Sequence, residues 1–168
     1  MNNYFKGKTV VVTGHTGFKG SWLSMWLVNL GAKVVGISID IPSKPSHFKA
    51  ANIKTHIDDR RLDIRDTKSL RKMIKEIQPD FVFHLAAQAL VRPSYESPLD
   101  TISTNALGSA SVLDALRVLT KPVVAVMITS DKAYDNVEWV WGYRETDRLG
   151  GKDPYSASKG MAELAIRT

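Results

Sequence analysis

Two short segments in the last quarter of the chain carry side chains that can transfer protons. Thr129-Ser130-Asp131-Lys132 supplies a hydroxyl, a carboxylate and an ammonium group, while Tyr155 and Lys159 supply a phenol and a second ammonium group. Because Tyr155 and Lys159 are four residues apart, a helix would place both on one face. A cation beside a tyrosine favours the phenolate, which is a base. The pattern predicts proton transfer at a substrate hydroxyl, as in a dehydrogenase.

The residues before Tyr155 predict the start of the helix that carries it. Asp153 is a good N-cap and Pro154 suits the first helical position. The positive end of the helix would favour the phenolate further.

A glycine turn near the N-terminus predicts a dinucleotide site. The β-branched run Thr9 to Thr13 reads as a buried parallel strand, and glycines at 14, 17 and 20 follow it directly. Such glycines permit a tight turn and let the backbone and a helix N-terminus approach a pyrophosphate. The candidate cofactor-binding residues here are Gly14, Thr16, Gly17, Phe18, Lys19 and Gly20.

Asp40 lies twenty residues past Gly20, where a second strand should end. A carboxylate there accepts hydrogen bonds from a ribose 2′-hydroxyl and repels a 2′-phosphate, which favours NAD over NADP. Lys44 lies close enough to weaken that preference. His15 is interpreted as a loop residue rather than a catalyst.

Alternation between strand and helix periods predicts an α/β fold, a three-layer doubly wound parallel sheet of the Rossmann type. A helix after the glycine turn is expected to turn five apolar residues inward, namely Trp22, Leu23, Trp26, Leu27 and Leu30, and to end at Gly31. The other predicted strands are Lys33 to Ile39, Ile57 to Asp63, Phe81 to Leu85 and Val123 to Thr129, and the other helices are Thr67 to Ile77 and Pro98 to Leu119.

Composition excludes several classes of function. The 168 residues fit one domain, and 23 Lys and Arg against 17 Asp and Glu give a net charge of +6. The basic stretch from Arg60 to Lys75 is interpreted as a solvated helix face, since no nucleic-acid motif accompanies it. The four histidines lack metal-ligand spacing, and no apolar run spans a bilayer, so neither a metal site nor a membrane partner is predicted. The lack of cysteine suits a reducing cytoplasm, where we expect the protein.

The segment from Asp131 to Asp153 is too long for an ordinary connection and holds Trp139, Trp141 and Tyr143 at alternating positions. These aromatics either fasten the loop to the core or form a lid over a substrate.

The glycine turn, Asp63-Ile64, Leu85 to Gln88, Asn105 and Tyr155-x-x-x-Lys159 together resemble the extended short-chain dehydrogenase/reductases, the NAD-dependent epimerase/dehydratase family. The resemblance spans essentially the whole chain. It implies further contacts with NAD, from Asp63, Ile64, Leu85, Ala86, Ala87, Gln88, Asn105, Tyr155 and Lys159.

Most nucleotide-sugar dehydratases of that family have Thr-Asp-Glu at the positions of Ser130-Asp131-Lys132. With lysine at the third position, this segment resembles the branch of the family that acts on CDP-glucose. The resemblance implies 4,6-dehydration of a nucleotide sugar, yielding CDP-4-keto-6-deoxyglucose and water. Tyr155 would then take the 4-hydroxyl proton, Ser130 would bond the same oxygen, and Lys159 would hold the nicotinamide ribose. Asp131 would protonate the departing 6-hydroxyl. Lys132 would either remove the C5 proton or only neutralise a phosphate or Asp131.

Two other functions remain open at this point. A 4-epimerase of the same family would need Tyr155 and Lys159 but not the Asp131-Lys132 pair, and a non-catalytic dinucleotide-binding protein would need neither pair. The resemblance also implies that this chain is the N-terminal NAD-binding portion of a longer enzyme, inactive alone. The residues that select the nucleotide base would then lie past residue 168. Members of the family commonly dimerise, so the resemblance also implies a homodimer of the full-length enzyme through the helices that correspond here to residues 98–119 and 155–168.

Overall fold

A computed structural model describes residues 3–168, which form one five-stranded parallel sheet of order β3-β2-β1-β4-β5 with helices on both faces. The predicted doubly wound α/β fold is therefore confirmed. The strands are β1 (Thr9–Thr13), β2 (Lys33–Ser38), β3 (Asp58–Arg61), β4 (Phe81–His84) and β5 (Val124–Met127).

Residues 3–168 contain seven α-helices, of which six lie between β1 and β5 and the last follows β5. They are α1 (Phe18–Asn29), α2 (His47–Ala50), α3 (Thr67–Ile77), α4 (Val91–Glu96), α5 (Pro98–Ile102), α6 (Gly108–Leu116) and α7 (Pro154–Arg167). A π-helical turn, Ser103–Leu107, joins α5 to α6, and two 3₁₀ turns, Ile53–Thr55 and Asp131–Ala133, precede β3 and follow β5.

The core lies on both faces of β1, whose three central valines are fully buried. Because successive side chains of a strand point to opposite faces, Val11 packs with α3 and α6, while Val10 and Val12 pack with Leu27 of α1. A strand covered on both sides is apolar throughout, which explains why the run Thr9 to Thr13 identifies this strand so clearly.

The inner face predicted for the first helix is wrong at two positions. Trp22 and Trp26 are 56% and 62% exposed, and the buried face of α1 instead carries Gly20, Ser21, Ser24 and Leu27. The cause is the closeness of α1 to the glycine turn. A Cβ added at Gly20 would lie 2.1 Å from the Gly14 carbonyl oxygen, so no side chain can occupy this position on the buried face.

The predicted helix from Pro98 to Leu119 is interrupted by the π turn, ends at Leu116 and is preceded by the unpredicted α4. In contrast, α3 begins and ends where it was predicted. Its basic side chains are exposed, as expected of a solvated face. No helix within residues 3–168 is long and apolar enough to cross a membrane.

Candidate functional site

The predicted site residues converge on the carboxyl edge of the sheet. The chain leaves β1 toward β2 on one side, and it later returns to place β4 on the other side. A crevice opens at such a reversal, and open α/β sheets bind ligands there. The glycine turn follows β1, Asp40 follows β2, Leu85 to Gln88 follow β4, and Ser130 to Lys132 follow β5.

The glycine turn has the geometry that close approach to an anion requires. Gly14 adopts φ +73°, a left-handed conformation that favours glycine, and its N–H donates to Ile37 of β2 at 2.8 Å. A Cβ at Gly14 would lie 2.7 Å from the Ala86 nitrogen. The Gly17 N–H donates to the Gly14 carbonyl at 3.1 Å, and α1 begins at the next residue. The N-terminus of α1 thus faces the crevice, with Phe18 and Lys19 exposed on its first turn.

His15 and Thr16 fasten this turn to the neighbouring strands. His15 is fully buried, with Nε2 2.8 Å from the Asp59 carboxylate and Nδ1 2.9 Å from Ser38 Oγ. Burial lowers the pKa of His15 despite the Asp59 carboxylate. Thr16 Oγ1 donates to the Asp40 carbonyl at 2.6 Å. His15 and Thr16 therefore hold the glycine turn against β2 and β3.

The two carboxylates expected at the cofactor have different surroundings. The side chain of Asp40 is exposed at the end of β2, where Arg61 donates to its backbone carbonyl at 3.0 Å. Asp63 is bound by Arg65 at 2.7 Å, and these hydrogen bonds lower the pKa of Asp63. Ile64 is buried against the apolar core.

Asn105 lies in the π turn and organises the segment after β4. Its side-chain carbonyl accepts from the Gln88 N–H at 2.8 Å, and its amide donates to the Gln88 carbonyl at 3.0 Å and to Ser158 Oγ at 2.9 Å. Single π turns are frequent at functional sites because they re-aim a side chain. Here the turn aims Asn105 between the β4 segment and α7.

Tyr155 and Lys159 occupy the first two turns of α7, as predicted. Asp153 is the N-cap, accepting from the Ser156 N–H at 2.9 Å, and Pro154 is the first helical residue. Both side chains are buried, and Lys159 Nζ lies 5.9 Å from the centre of the Tyr155 ring. Burial lowers the pKa of Lys159, and no carboxylate among residues 3–168 forms an ion pair with it.

Ser130, Asp131 and Lys132 form the 3₁₀ turn after β5. Ser130 Oγ accepts from the Lys132 N–H at 3.2 Å and donates to Asp131 Oδ1 at 3.0 Å. The side chains of Asp131 and Lys132 are exposed. Helix α7 packs against this turn, since a Cβ at Gly160 would lie 3.4 Å from the Ala133 carbonyl oxygen. The two proton-transfer segments predicted from the sequence are therefore neighbours.

Four supporting residues were not predicted. Ser94 of α4 accepts from the Tyr155 N–H at 3.2 Å, and Thr129 donates to the carboxylate of Glu163 on α7. His84 is buried at the end of β4, 2.7 Å from Thr13 Oγ1. The sequence does point to Glu163, because this residue continues the four-residue spacing of Tyr155 and Lys159. The others depend on contacts between distant segments.

The long segment after the 3₁₀ turn closes at its base through a bridge between Tyr134 and Leu149. Its aromatic residues pack on one another, with Tyr143 stacked on Tyr134 at 5.2 Å and tilted against Trp139 at 5.7 Å. Trp141 is 72% exposed. The aromatic side chains hold the loop together from within.

The described residues contain no group of three or more His, Cys, Asp or Glu that could hold a metal ion.

Comparison with known proteins identifies nucleotide-sugar 4,6-dehydratases and 4-epimerases as relatives. The sequence profile described as GDP-mannose 4,6 dehydratase matches residues 11–168. The chain is 52% identical over 162 residues to the CDP-glucose 4,6-dehydratase of Salmonella typhimurium, covering 96% of this chain and 45% of that enzyme. This chain thus spans less than half the length of that relative.

Solved structures share the fold. An epimerase from Methanothermobacter thermautotrophicus superimposes with a TM-score of 0.81 at 29% identity, over 98% of this chain and 48% of its own. The UDP-glucose 4-epimerase of Thermus thermophilus, solved as a complex with NAD, gives a TM-score of 0.79 at 30% identity, over 95% of this chain and 50% of its own.

Proposed function

The chain belongs to the GDP-mannose 4,6-dehydratase family, and on that premise we propose that the full-length protein is a nucleotide-sugar 4,6-dehydratase. It uses NAD to convert CDP-glucose into CDP-4-keto-6-deoxyglucose and water. The observation that carries the proposal is the packing of the Ser130-Asp131-Lys132 turn against the helix bearing Tyr155 and Lys159. The identity to a CDP-glucose 4,6-dehydratase supports the choice of sugar nucleotide.

The residues at the carboxyl edge of the sheet fit NAD. Gly14, Gly17 and Gly20 have no side chains and lie at the start of α1, so the backbone there can approach a pyrophosphate closely. The exposed Asp40 carboxylate suits a ribose with a free 2′-hydroxyl. Lys159, buried without a carboxylate partner among residues 3–168, suits the nicotinamide ribose. When bound, NAD would accept the hydride of C4 and return it to C6 after water is lost, and the protein would handle the protons.

In the first step, Tyr155 takes the proton of the 4-hydroxyl as a ketone forms at C4. Tyr155 lies in the first turn of α7, and Lys159 Nζ lies 5.9 Å from the centre of its ring. Ser130 donates a hydrogen bond to the same oxygen. Each positioned acid or base of this kind contributes roughly 10²- to 10⁴-fold to the rate.

In the second step, water is eliminated across C5 and C6. The C4 ketone acidifies the C5 proton, which Lys132 removes, while Asp131 protonates the departing 6-hydroxyl. The side chains of Asp131 and Lys132 are exposed within residues 3–168, so a substrate can reach them. A lysine base must be neutral, and the bound sugar nucleotide would have to supply the burial that favours that state.

A 4-epimerase is the second candidate, because the solved structures that superimpose on this chain include epimerases. Such an enzyme would use Tyr155 and Lys159 as the dehydratase does, but it would eliminate no water. The Asp131-Lys132 pair favours the dehydratase, since only elimination requires a second acid and base.

The test is to incubate the full-length protein and NAD separately with CDP-, UDP-, GDP- and dTDP-glucose. Mass spectrometry should detect a 4-keto-6-deoxy sugar, the substrate minus one water, from CDP-glucose, and Tyr155→Phe should abolish it. Product from another donor alone would change the substrate and keep the reaction class. A 4-epimer of unchanged mass would establish the epimerase instead.

The full-length enzyme is further proposed to be a homodimer that joins through α5, α6 and α7. Support comes from exposed apolar side chains on α5, the π turn and α7, at Leu99, Leu107, Met161 and Leu164. Sedimentation of the full-length protein should give a dimer, and a single monomeric species would exclude it.

A further inference from the structure

Helix α7 carries a third functional group in line with the two already described. Tyr155, Lys159 and Glu163 recur every four residues, so they share one face of the helix, with about 6 Å of axial rise between neighbours. Glu163 is about 12 Å from Tyr155 along this axis. It is therefore too far from the phenol to act on the same substrate atom.

The partner of Glu163 lies at the point where β5 stops. Thr129 donates a hydrogen bond from its hydroxyl to the Glu163 carboxylate, and Thr129 directly precedes Ser130. The last ladder bond of this strand runs from the Ile128 N–H to the His84 carbonyl at 3.0 Å. Beyond Ile128 the sheet no longer holds the chain.

Among residues 3–168, backbone hydrogen bonds join β5 to β4 as far as Ile128, and the bond from Thr129 to Glu163 is the next attachment of the chain. The hydrogen bond to Glu163 is charge-assisted, and bonds of this kind are about twice as strong as neutral ones.

On the basis of the proposed dehydratase function, we propose that Glu163 is a positioning residue. It fixes the end of β5 to α7, so that Ser130 and Asp131 stay in register with Tyr155 and Lys159. The same helix face then supplies the base, its cation and the attachment point of the opposite half of the site. Glu163 touches no substrate and acts only through Thr129.

The expected effect is on turnover rather than on binding. A displacement of about 1 Å in a reacting group costs as much as roughly 10²-fold in rate. We therefore expect Glu163→Ala to lower kcat by about 10- to 100-fold in the full-length protein, with KM for the sugar nucleotide and the affinity for NAD changed less than about threefold. Glu163→Gln keeps an acceptor for the Thr129 hydroxyl and should recover most of kcat.

A double-mutant cycle tests whether Glu163 acts through Thr129. Thr129→Val removes the hydroxyl at nearly constant shape and should match the loss in Glu163→Ala. If the two residues act as one unit, the double variant loses no more than either single variant. The proposal would be overturned if the kcat losses of the two single variants multiplied in the double variant. It would also be overturned if Glu163→Ala kept the wild-type kcat. Glu76→Ala, on the exposed face of α3, is the matched control and should keep wild-type kcat.

Hydrogen exchange separates this inference from the proposed reaction. With NAD bound, amide exchange over residues 128–134 should be faster in Glu163→Ala and Thr129→Val, and unchanged in Glu163→Gln and Thr129→Ser. Unchanged exchange in the first two variants overturns the positioning role whatever the activity. If the wild-type protein makes no dehydrated product, the proposed function fails and the exchange result still decides the attachment. If Glu163→Ala does not fold, the comparison of Thr129→Val with Thr129→Ser decides it.

Discussion

The buried histidine at the end of β4 should make the stability of the protein depend on pH. Thr13 Oγ1 accepts from the N–H groups of Leu85 and Ala86, both at 3.1 Å, so its own hydrogen points to Nδ1 of His84 at 2.7 Å. His84 Nε2 then donates to Ser109 Oγ at 3.1 Å. The network assigns a neutral imidazole, because a proton added at Nδ1 would meet the Thr13 hydroxyl hydrogen.

Burial, together with the positive charge of Lys159, lowers the pKa of His84 from 6.5 to about 4. The unfolded chain therefore binds a proton at this residue at a higher pH than the folded protein does. The stabilising contribution is complete above the unfolded pKa and is lost as the pH falls toward 4. Integrating the difference gives a loss of about 2 kcal/mol in the free energy of unfolding between about pH 7 and about pH 5.

The assay is urea-induced unfolding of the full-length protein at these two pH values, for the wild type and for His84→Gln. The variant removes the titration while keeping an amide that can hydrogen-bond, so it should lose about 2 kcal/mol less than the wild type over this range. Other titrating groups, including the buried His15, are common to both proteins and cancel in the comparison. Equal losses in the two proteins would refute the assignment of a buried, neutral His84.

Two further predictions concern the cofactor. Gly20→Ala adds a Cβ 2.1 Å from the Gly14 carbonyl oxygen, and overpacking of about 1–3 kcal/mol should lower NAD affinity roughly tenfold or more by calorimetry. Gly142→Ala, whose added Cβ meets no atom of residues 3–168 within 4 Å, is the matched control and should bind NAD normally. Asp40→Ser removes the carboxylate that repels a 2′-phosphate and should shift the ratio of NADP to NAD affinity by about tenfold toward NADP. An unchanged ratio in competition binding would show that Asp40 does not select the cofactor.

The sequence predicted those parts of the fold that depend on neighbouring residues. The run of valines in β1, the amphipathic spacing of α3 and the Asp153-Pro154 cap of α7 are local signals, and each element lies where they indicate. The gathering of site residues at one edge followed from the parallel sheet, since every strand presents its carboxyl end there.

The remaining features arise from contacts between distant segments. The spacing of Trp22 and Trp26 indicates an amphipathic helix. It does not indicate which face of that helix packs close to Gly14 and which face is exposed. Helix α4 is short and contains a proline, so it has no clear apolar period. The bond between Thr129 and Glu163 joins residues 34 positions apart, and no local pattern reveals such a pair.

The position of β1 in the sheet also sets the order in which the fold can assemble. β1 is the first strand in the chain, yet it is central, and it pairs with β4 in a register that joins Val10 to Phe81. During synthesis the face of β1 that carries Val11 stays uncovered until α3 and α6 have emerged, and pairing of β1 with β4 must close a long loop, which is slow. Within residues 3–168, the glycine turn is therefore translated well before β4, the strand that completes its surroundings.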